Sequence, residues 1–394
     1  MGLAVTKSGP YFDGGASPSN TTNIKFSQMR DTFRLNNPTG AISASELRRD
    51  TNTSNTDPIV PDCTENNDVA TSTNWKVSQI KASIKYYYLT QTGTDSNFDI
   101  DAQSWNNNLS KNIVKEFRVN GTLASSSTSL KAASLNGTTH NLKIDLGSSG
   151  KIHGAGGLGG TSGSVNGKVG GDALEIVNVG NNVTVDLETG SQIYSGGGGG
   201  EYGSAGSAGA NGNSGTCWNW ENSSVGSGCG FCGDCINLGS EWEQYGGCNG
   251  TGGCNCGGWW WWSGCSSSNY SAALCRRKVY TTVAGGAGGA GGSGGNGGNG
   301  QGYGQAQTNG AGGGAGGAGT AWAGCGGYAG TGSSGTGGAN GNAGESGGNG
   351  GDWGQAGSGT SNSGTGGTAG VAIYGAGPYT ITGTINSTTI KGSY

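Results

Sequence analysis

Apolar positions alternate with polar ones through Ile80, Ala82, Ile84, Tyr86 and Tyr88, the period-two pattern of a half-buried strand. A second such stretch, IVKEFRVNG, puts Val114, Glu116 and Arg118 on one face and Lys115, Phe117 and Val119 on the other. Nearer the N-terminus the period lengthens. In IKFSQMRDTF, Phe26, Met29 and Phe33 share one face of a short helix, and Ser43 and Glu46 stand at capping-box spacing before Leu47. The pattern predicts two small helices followed by strands.

Further on, the pattern repeats itself. LKIDLGSSGKIHGAGG from Leu142 aligns without gaps with VTVDLETGSQIYSGGG from Val183. Ile144 falls on Val185, Asp145 on Asp186, Leu146 on Leu187 and Ile152 on Ile193. Each copy reads strand, tight turn, strand, glycine run, so the repeat predicts a stacked supersecondary unit. The C-terminal YTITGTINSTTIKGSY reads as a distant third copy that closes the fold.

Between and after these copies the hydrophobic pattern gives way to glycine with a period of three. Gly200, Gly203, Gly206, Gly209, Gly212 and Gly215 keep this spacing, GGAGGAGGSGGNGGN from Gly285 repeats Gly-Gly-x, and Gly332 to Gly350 holds phase throughout. Three residues per turn is the period of an extended left-handed helix with no internal hydrogen bonds. Collagen satisfies such backbones with abundant proline, but this chain has 89 glycines and 6 prolines. The alternative is polyglycine type II, in which glycine helices of one chain bond side by side and any Cβ would hold the backbones apart. Tyr202, Tyr303, Trp322, Tyr328 and Trp353 would project from such a bundle or plug its faces.

Composition narrows the function. The 394-residue chain carries a formal net charge of −4, so no basic field invites nucleic acid. No apolar run approaches a membrane span. MGLAVTKSGPYFDGG lacks the basic-then-apolar pattern of a signal peptide. Against that stand 11 cysteines, which call for an oxidising setting or a metal. A virus particle, assembled in the cytoplasm and released to the outside, reconciles the two.

Most of those cysteines lie in an insert that also contains CNCGGWWWWSGC. Cys217, Cys229, Cys232, Cys235, Cys248, Cys254, Cys256, Cys265 and Cys275, with Cys325 beyond it, allow five disulfides; Cys63 stays apart. CGFCGDC has metal-like spacing, and a four-cysteine zinc site is the rival reading. No cofactor is implied. Regular strands or helices are not evident in the insert. A loop clamped between Cys256 and Cys265 would present large rigid rings at low entropic cost, the attribute of interface anchors; the bland alternative is that the rings pack as a local core.

GGGGGEYGSAGSAGANGNSG, GGAGGAGGSGGNGGNGQGYGQ and GSSGTGGANGNAGESGGNGGDWGQAGSG, alternating with aromatic-rich loops, resemble the distal tail-fibre adhesins of T-even-like bacteriophages over roughly residues 154–394. The resemblance implies a fold that is mainly β with irregular loops: small N-terminal helices and strands, then a polyglycine type II bundle bearing long loops. Read along its length, the chain divides into an N-terminal attachment module (1–70), a β-rich domain (71–150), a β repeat leading into glycine helices (151–216), the Cys/Trp insert (217–283) and a bundle with closing strands (284–394). The resemblance also implies a host outer-membrane protein or surface glycan as partner, and attachment to other tail-fibre or baseplate proteins through the N-terminal region. The chain would act as a monomer on a trimeric fibre or as a homotrimer, on the distal fibre of a virion freed by lysis. Recognition would fall to Trp242, Tyr245, Trp259, Trp260, Trp261, Trp262, Tyr303 and Trp322. This chain departs from the family in two places: the family's loops are not cysteine-dense, and the strand-rich N-terminal half does not align with the family's fibre-docking domain.

Three other functions fit the sequence less well. A purely structural fibre component would use the glycine bundle as a spacer and show no large apolar patch. An ice-binding or secreted structural protein would want a flat threonine or alanine face and does not need the insert. A polysaccharide-degrading enzyme needs two carboxylates across a cleft. Asp145 and Asp186, at equivalent repeat positions, read instead as structural residues, and Glu175, Asp234 and Glu241 are isolated, so no enzyme is expected.

Overall fold

The structure is a computed structural model. It describes Gly2–Thr6, short stretches between 48 and 72, and 86–394 apart from 104, 106, 112, 181, 226–239, 247–272 and 361–363. The described residues are mainly β, with no helix among them. The helices expected at 24–33 and 43–47 lie outside the described residues. The chain divides into two compact units: unit 1 is Met1–Ser204, Gly294–Gly313 and Glu345–Tyr394, and unit 2 is Ala205–Ser293 and Gly314–Gly344.

Unit 1 opens with β1 (Gly2–Thr6) and the short pair β2 (Arg49–Asp50) and β3 (Val60–Pro61). A three-sided parallel solenoid follows. Its first coil is β4 (Tyr86–Thr92), β5 (Thr94–Ser96) and β6 (Phe98–Asp99); the second is β7 (Val114–Val119), β8 (Thr122–Ala124) and β9 (Ala133–Asn136). The third is β10 (Leu142–Leu146), β11 (Lys151–His153) and β12 (Leu174–Val177). The fourth starts with β13 (Val183–Leu187) and β14 (Gln192–Tyr194). After a long excursion bearing β15 (Gly215–Val225), β16 (Glu243–Gly246), β17 (Ala273–Val283) and β18 (Gly330–Ser333), it closes with β19 (Ile373–Ala376). The chain ends on β20 (Tyr379–Gly383) and β21 (Ile390–Lys391). The sheets run β1-β4-β7-β10-β13-β20, β21-β14-β11-β8-β5 and β19-β12-β9-β6, and β1–β4 is their one antiparallel pair.

The sequence repeat is the strand register itself. Leu142 pairs with Val183, Ile144 with Val185 and Ile152 with Ile193. The distant third copy continues it, Val185 pairing with Ile381 and Ile193 with Ile390. Side chains alternate in and out, so in-register residues stack as columns: Leu89, Phe117, Ile144 and Val185 form one, Leu123, Ile152 and Ile193 another, all fully buried. Lys115 joins the inward face of β7, its Nζ donating to the carbonyls of Lys111 and Ile113 at 2.8 Å. On β4 the phase differs from the one expected. Tyr87 and Leu89 are buried and Tyr88 faces outward toward Glu116, because the column running into Phe117 fixes which residues point in.

The outer face of the long sheet is an ionic ladder. Asp145 and Asp186 are register partners; Lys143 bonds to Asp186 at 2.7 Å and to Asp145 at 3.2 Å, and Arg118 bridges Asp145 and Glu188. The Lys143 hydrogen bond holds the Asp186 carboxyl below its ordinary range. At the corners, Asn141 and Asn182 take positive φ (49° and 60°), and the Asn182 amide donates to Asn141 Oδ1 at 2.9 Å. Asparagine tolerates this left-handed conformation better than other side-chain-bearing residues.

The glycine segments enter at one corner of the solenoid, after β11 and after β14. In unit 1, Gly197, Gly198 and Gly199 donate to Gln301, Gln355 and Lys168 in turn, at 2.8, 2.9 and 2.8 Å, and Gly200 returns to the first neighbouring segment at Gly298. Successive residues thus face three different backbones, and Gly196 to Gly200 are all buried. In unit 2, Gly206, Gly209 and Gly212 donate to Gly292, Gly289 and Gly286, each at 2.8 Å. Gly286, Gly289 and Gly292 pass the bond on to Thr336, Ala339 and Asn342. Those three glycines are buried, while Ala287, Ala290 and Ser293 are exposed. A Cβ on Gly289 would lie 1.9 Å from the Gly317 carbonyl oxygen. The number of glycines per triplet therefore follows the number of backbones that crowd the segment.

Candidate functional site

In unit 2 the insert begins and ends as an antiparallel hairpin, where no regular strand was expected. The 11-residue strands β15 and β17 pair from Gly215↔Val283 to Val225↔Ala273, with β18 and β16 on their outer edges. The segments TCWNWENSSV and LCRRKVYTTV carry no apolar alternation, so their pairing is not visible as hydrophobic periodicity. It comes from what the two strands place opposite each other.

Trp218 sits across from Tyr280, Trp220 from Lys278 and Asn222 from Arg276. Alternation puts all but Asn222 of these side chains to use on one face. Trp218 and Trp220 meet edge-on at 4.9 Å, the Arg276 guanidinium lies 3.8 Å from the Trp220 centroid, and Lys278 Nζ lies 4.6 Å from Trp218 and 5.6 Å from Trp220. Arg276 also bonds Glu243 at 2.8 Å. Each exposed cation–π pair contributes about 0.5–1 kcal/mol. Around Arg277, Glu221 at 2.6 Å, Glu241 at 3.1 Å and the Trp242 ring at 5.0 Å complete a second cluster. The sequence signals were W-x-W and R-R-K, too short to read without knowing that they pair.

A disulfide joins Cys217 at the base of β15 to Cys325, with Cα atoms 5.5 Å apart. Cys275 on β17, opposite Ser223, is also disulfide-bonded. Cys229, Cys232, Cys235, Cys248, Cys254, Cys256 and Cys265, and with them CGFCGDC, lie outside the described residues, as does Cys63. Among the described residues no group of three or more His, Cys, Asp or Glu could hold a metal.

The expected contact residues separate. Trp259, Trp260, Trp261 and Trp262 lie outside the described residues, and Tyr245 is described only as part of β16. Trp242 is half-buried beside Arg277. Trp322 packs on backbone: its ring atoms lie where a Cβ on Gly215 or Gly335 would be, and its indole N–H is buried without a partner. Tyr303, in unit 1, is exposed at the tip of a tight Gly302–Gln305 turn with Gly304 at φ +69°. Trp353, also in unit 1, closes an aromatic cluster with His153 and Tyr194 at 4.8 and 5.7 Å, and Lys391 lies 5.0 Å over the Tyr194 ring.

No family model matches the chain, and no curated protein matches it. Among solved structures it is similar to a chain of the gp37–gp38 adhesin tip complex of the bacteriophage S16 long tail fibre, at 18% identity and a TM-score of 0.35. That similarity covers 82% of this chain and 88% of the other.

Proposed function

We propose that this chain is a phage tail-fibre tip adhesin that recognises a host cell surface through aromatic loops. In this reading the glycine runs are polyglycine type II helices. The observation that carries it is the lateral hydrogen-bond ladder that recurs every third residue between glycine runs. A scaffold bonded through its backbones has little need of an apolar core. The tryptophans of the insert beyond Trp218 and Trp220 would then serve recognition, in a segment bracketed in sequence by a hairpin that is stiffened by cation–π pairs and anchored by Cys217–Cys325.

Trp259 to Trp262, with Trp242, Tyr245 and Tyr303, would make the contacts; Trp322, seated on Gly215 and Gly335, would support them. The partner would be an outer-membrane protein or a surface glycan. The N-terminal region would attach to another tail-fibre or baseplate protein, and the chain would work on the virion without catalysis. The test compares binding of the purified protein to host-type cells with that of a variant carrying Ser at 259–262. Loss of binding with an unchanged melting curve supports the reading. Undiminished binding places recognition in the other loops.

A second reading, a fibre component with no receptor contact, draws on Trp218, Trp220 and Trp322, whose rings are all engaged within the chain. It would gain if the oxidised, folded protein bound none of the cells tested.

A further inference from the structure

Glu201 is a carboxylate in the wrong place for a glycine bundle. It stands directly after Gly200, is fully buried, and its backbone is tied on both sides, its N–H to Ser358 O at 3.1 Å and its carbonyl to Gly348 N–H at 2.8 Å. The backbone is thereby fixed inside the ladder, and the side chain it carries is shut off from water. Its Oε2 accepts the Thr360 N–H, but Oε1 is buried with no partner, and so is the Oγ1 of Thr360. No cation among the described residues neutralises it, and the nearby Lys168 ammonium is turned to Ser164 at 2.9 Å. A third oxygen converges there. The point where a Cβ on Gly364 would sit is 3.0 Å from Glu201 Oε1 and 2.6 Å from Asn166 Oδ1, so both oxygens crowd the same glycine. Asn166 Oδ1 itself accepts the Thr365 N–H at 3.0 Å.

A buried carboxylate oxygen without a donor is among the costlier arrangements in a protein, and a charge is kept inside only when it is paired or bound to a metal. Here a carboxylate oxygen and a hydroxyl are buried unpaired, with an amide oxygen beside the carboxylate, from three separate segments. That is the hard oxygen chemistry that calcium accepts in irregular geometry; magnesium demands a closer octahedron. We propose that Glu201 anchors a calcium-class cation site, completed by Thr360 Oγ1 and Asn166 Oδ1 with water in the remaining positions, which pins Thr360 to the glycine bundle. One carboxylate places the affinity with weak extracellular modules, on the order of 10⁻⁴–10⁻³ M.

The test follows the melting of the full chain after chelation and during titration with calcium or magnesium, together with calcium calorimetry. The expected result is a melting temperature that rises with calcium at a millimolar midpoint and not with equal magnesium. Thr360→Ala, which removes one ligand and leaves Glu201 in place, should raise that midpoint roughly tenfold or more. Glu201→Gln should abolish the response. The proposal is overturned if calcium neither shifts melting nor gives heat with the wild-type chain. It is equally overturned if Thr360→Ala titrates like the wild type, which would place the calcium elsewhere. Should Glu201→Gln fail to fold, the Thr360→Ala titration decides.

Discussion

The Gly157 amide donates to the Gly197 carbonyl at 2.8 Å, a short step beyond the strand partners His153 and Tyr194. Gly154 to Tyr194 precedes that bond and Gly160 to Gly200 follows it, each at 2.8 Å. The two stretches of chain that pair as β11 and β14 thus keep bonding side by side after the strands end, now at every third residue. The solenoid supplies the register in which the first glycine segments meet.

It follows that a glycine here should matter more than a leucine. Gly157→Ala would bring a Cβ to 2.1 Å from the Lys168 carbonyl oxygen. It should cost about 1–3 kcal/mol, as overpacking does. Leu158→Ala, at a side chain that is 58% exposed, should stay within about 0.5 kcal/mol. Chemical denaturation of the two single variants reads the difference; equal effects would mean that the backbones part easily.

The Cys217–Cys325 bridge spans a sequence separation of 108. In the chain-entropy account a loop of that size is stabilised by about 4–5 kcal/mol. Replacing both cysteines by serine should lower the melting of unit 2 in particular. Hydrogen exchange along β15 and β18 would locate the loss, and protection unchanged at Thr216–Trp218 would contradict it.

Acid should loosen the His153 cluster. Burial, with a smaller push from Lys151, lowers the His153 pKa from 6.5 to about 4, against the opposing effect of the hydrogen bond that its ring donates to Gln192 Oε1. Between those values the unfolded chain takes up a proton that the folded chain refuses, so stability falls as pH drops from about 6.5 toward 4. The limit is about 3 kcal/mol. His140, also lowered by burial, adds to the same slope, while Glu116, raised by burial, acts in the opposite sense. His153→Phe keeps a ring against Tyr194 and removes the titration. Its stability should therefore depend less on pH than the wild type across this window, as urea titrations at several pH values would measure.

The corner asparagines separate conformation from hydrogen bonding. Asn182→Gly keeps the positive φ and loses only the bond to Asn141, whereas Asn182→Ala loses both. The alanine variant should be less stable than the glycine variant by about 1 kcal/mol. The reverse order would mean that glycine's larger entropy in the unfolded chain outweighs the strain that alanine suffers at positive φ.

How much of this was legible in the sequence depends on which force writes the pattern. The 142/183 repeat was readable because the same inward column dictates the same residues in both copies. The earlier coils were not. β7 aligns on β10 through Lys115↔Leu142, an offset shorter than that between β10 and β13, because the third coil carries an extra glycine excursion. The glycine period was visible because backbone crowding permits no substitute. The hairpin was hidden because its strands are matched by rings and cations rather than by apolar alternation, and a three-residue W-x-W gives no period. Tyr87 misled for a related reason: three tyrosines in a row, Tyr86 to Tyr88, leave the inward residue to be chosen by neighbours on other coils.

The third positions of the Gly-Gly-x run, Ala287, Ala290 and Ser293, are exposed, and they hold the run through backbone atoms alone, their carbonyls accepting from the Thr320, Gly317 and Gly314 amides. Evolution can therefore repaint that outer surface residue by residue with almost no structural penalty, while the glycine positions tolerate no drift at all. A lineage under pressure to keep changing what it shows to the world would find in such a chain a frame that stays fixed while its exterior turns over.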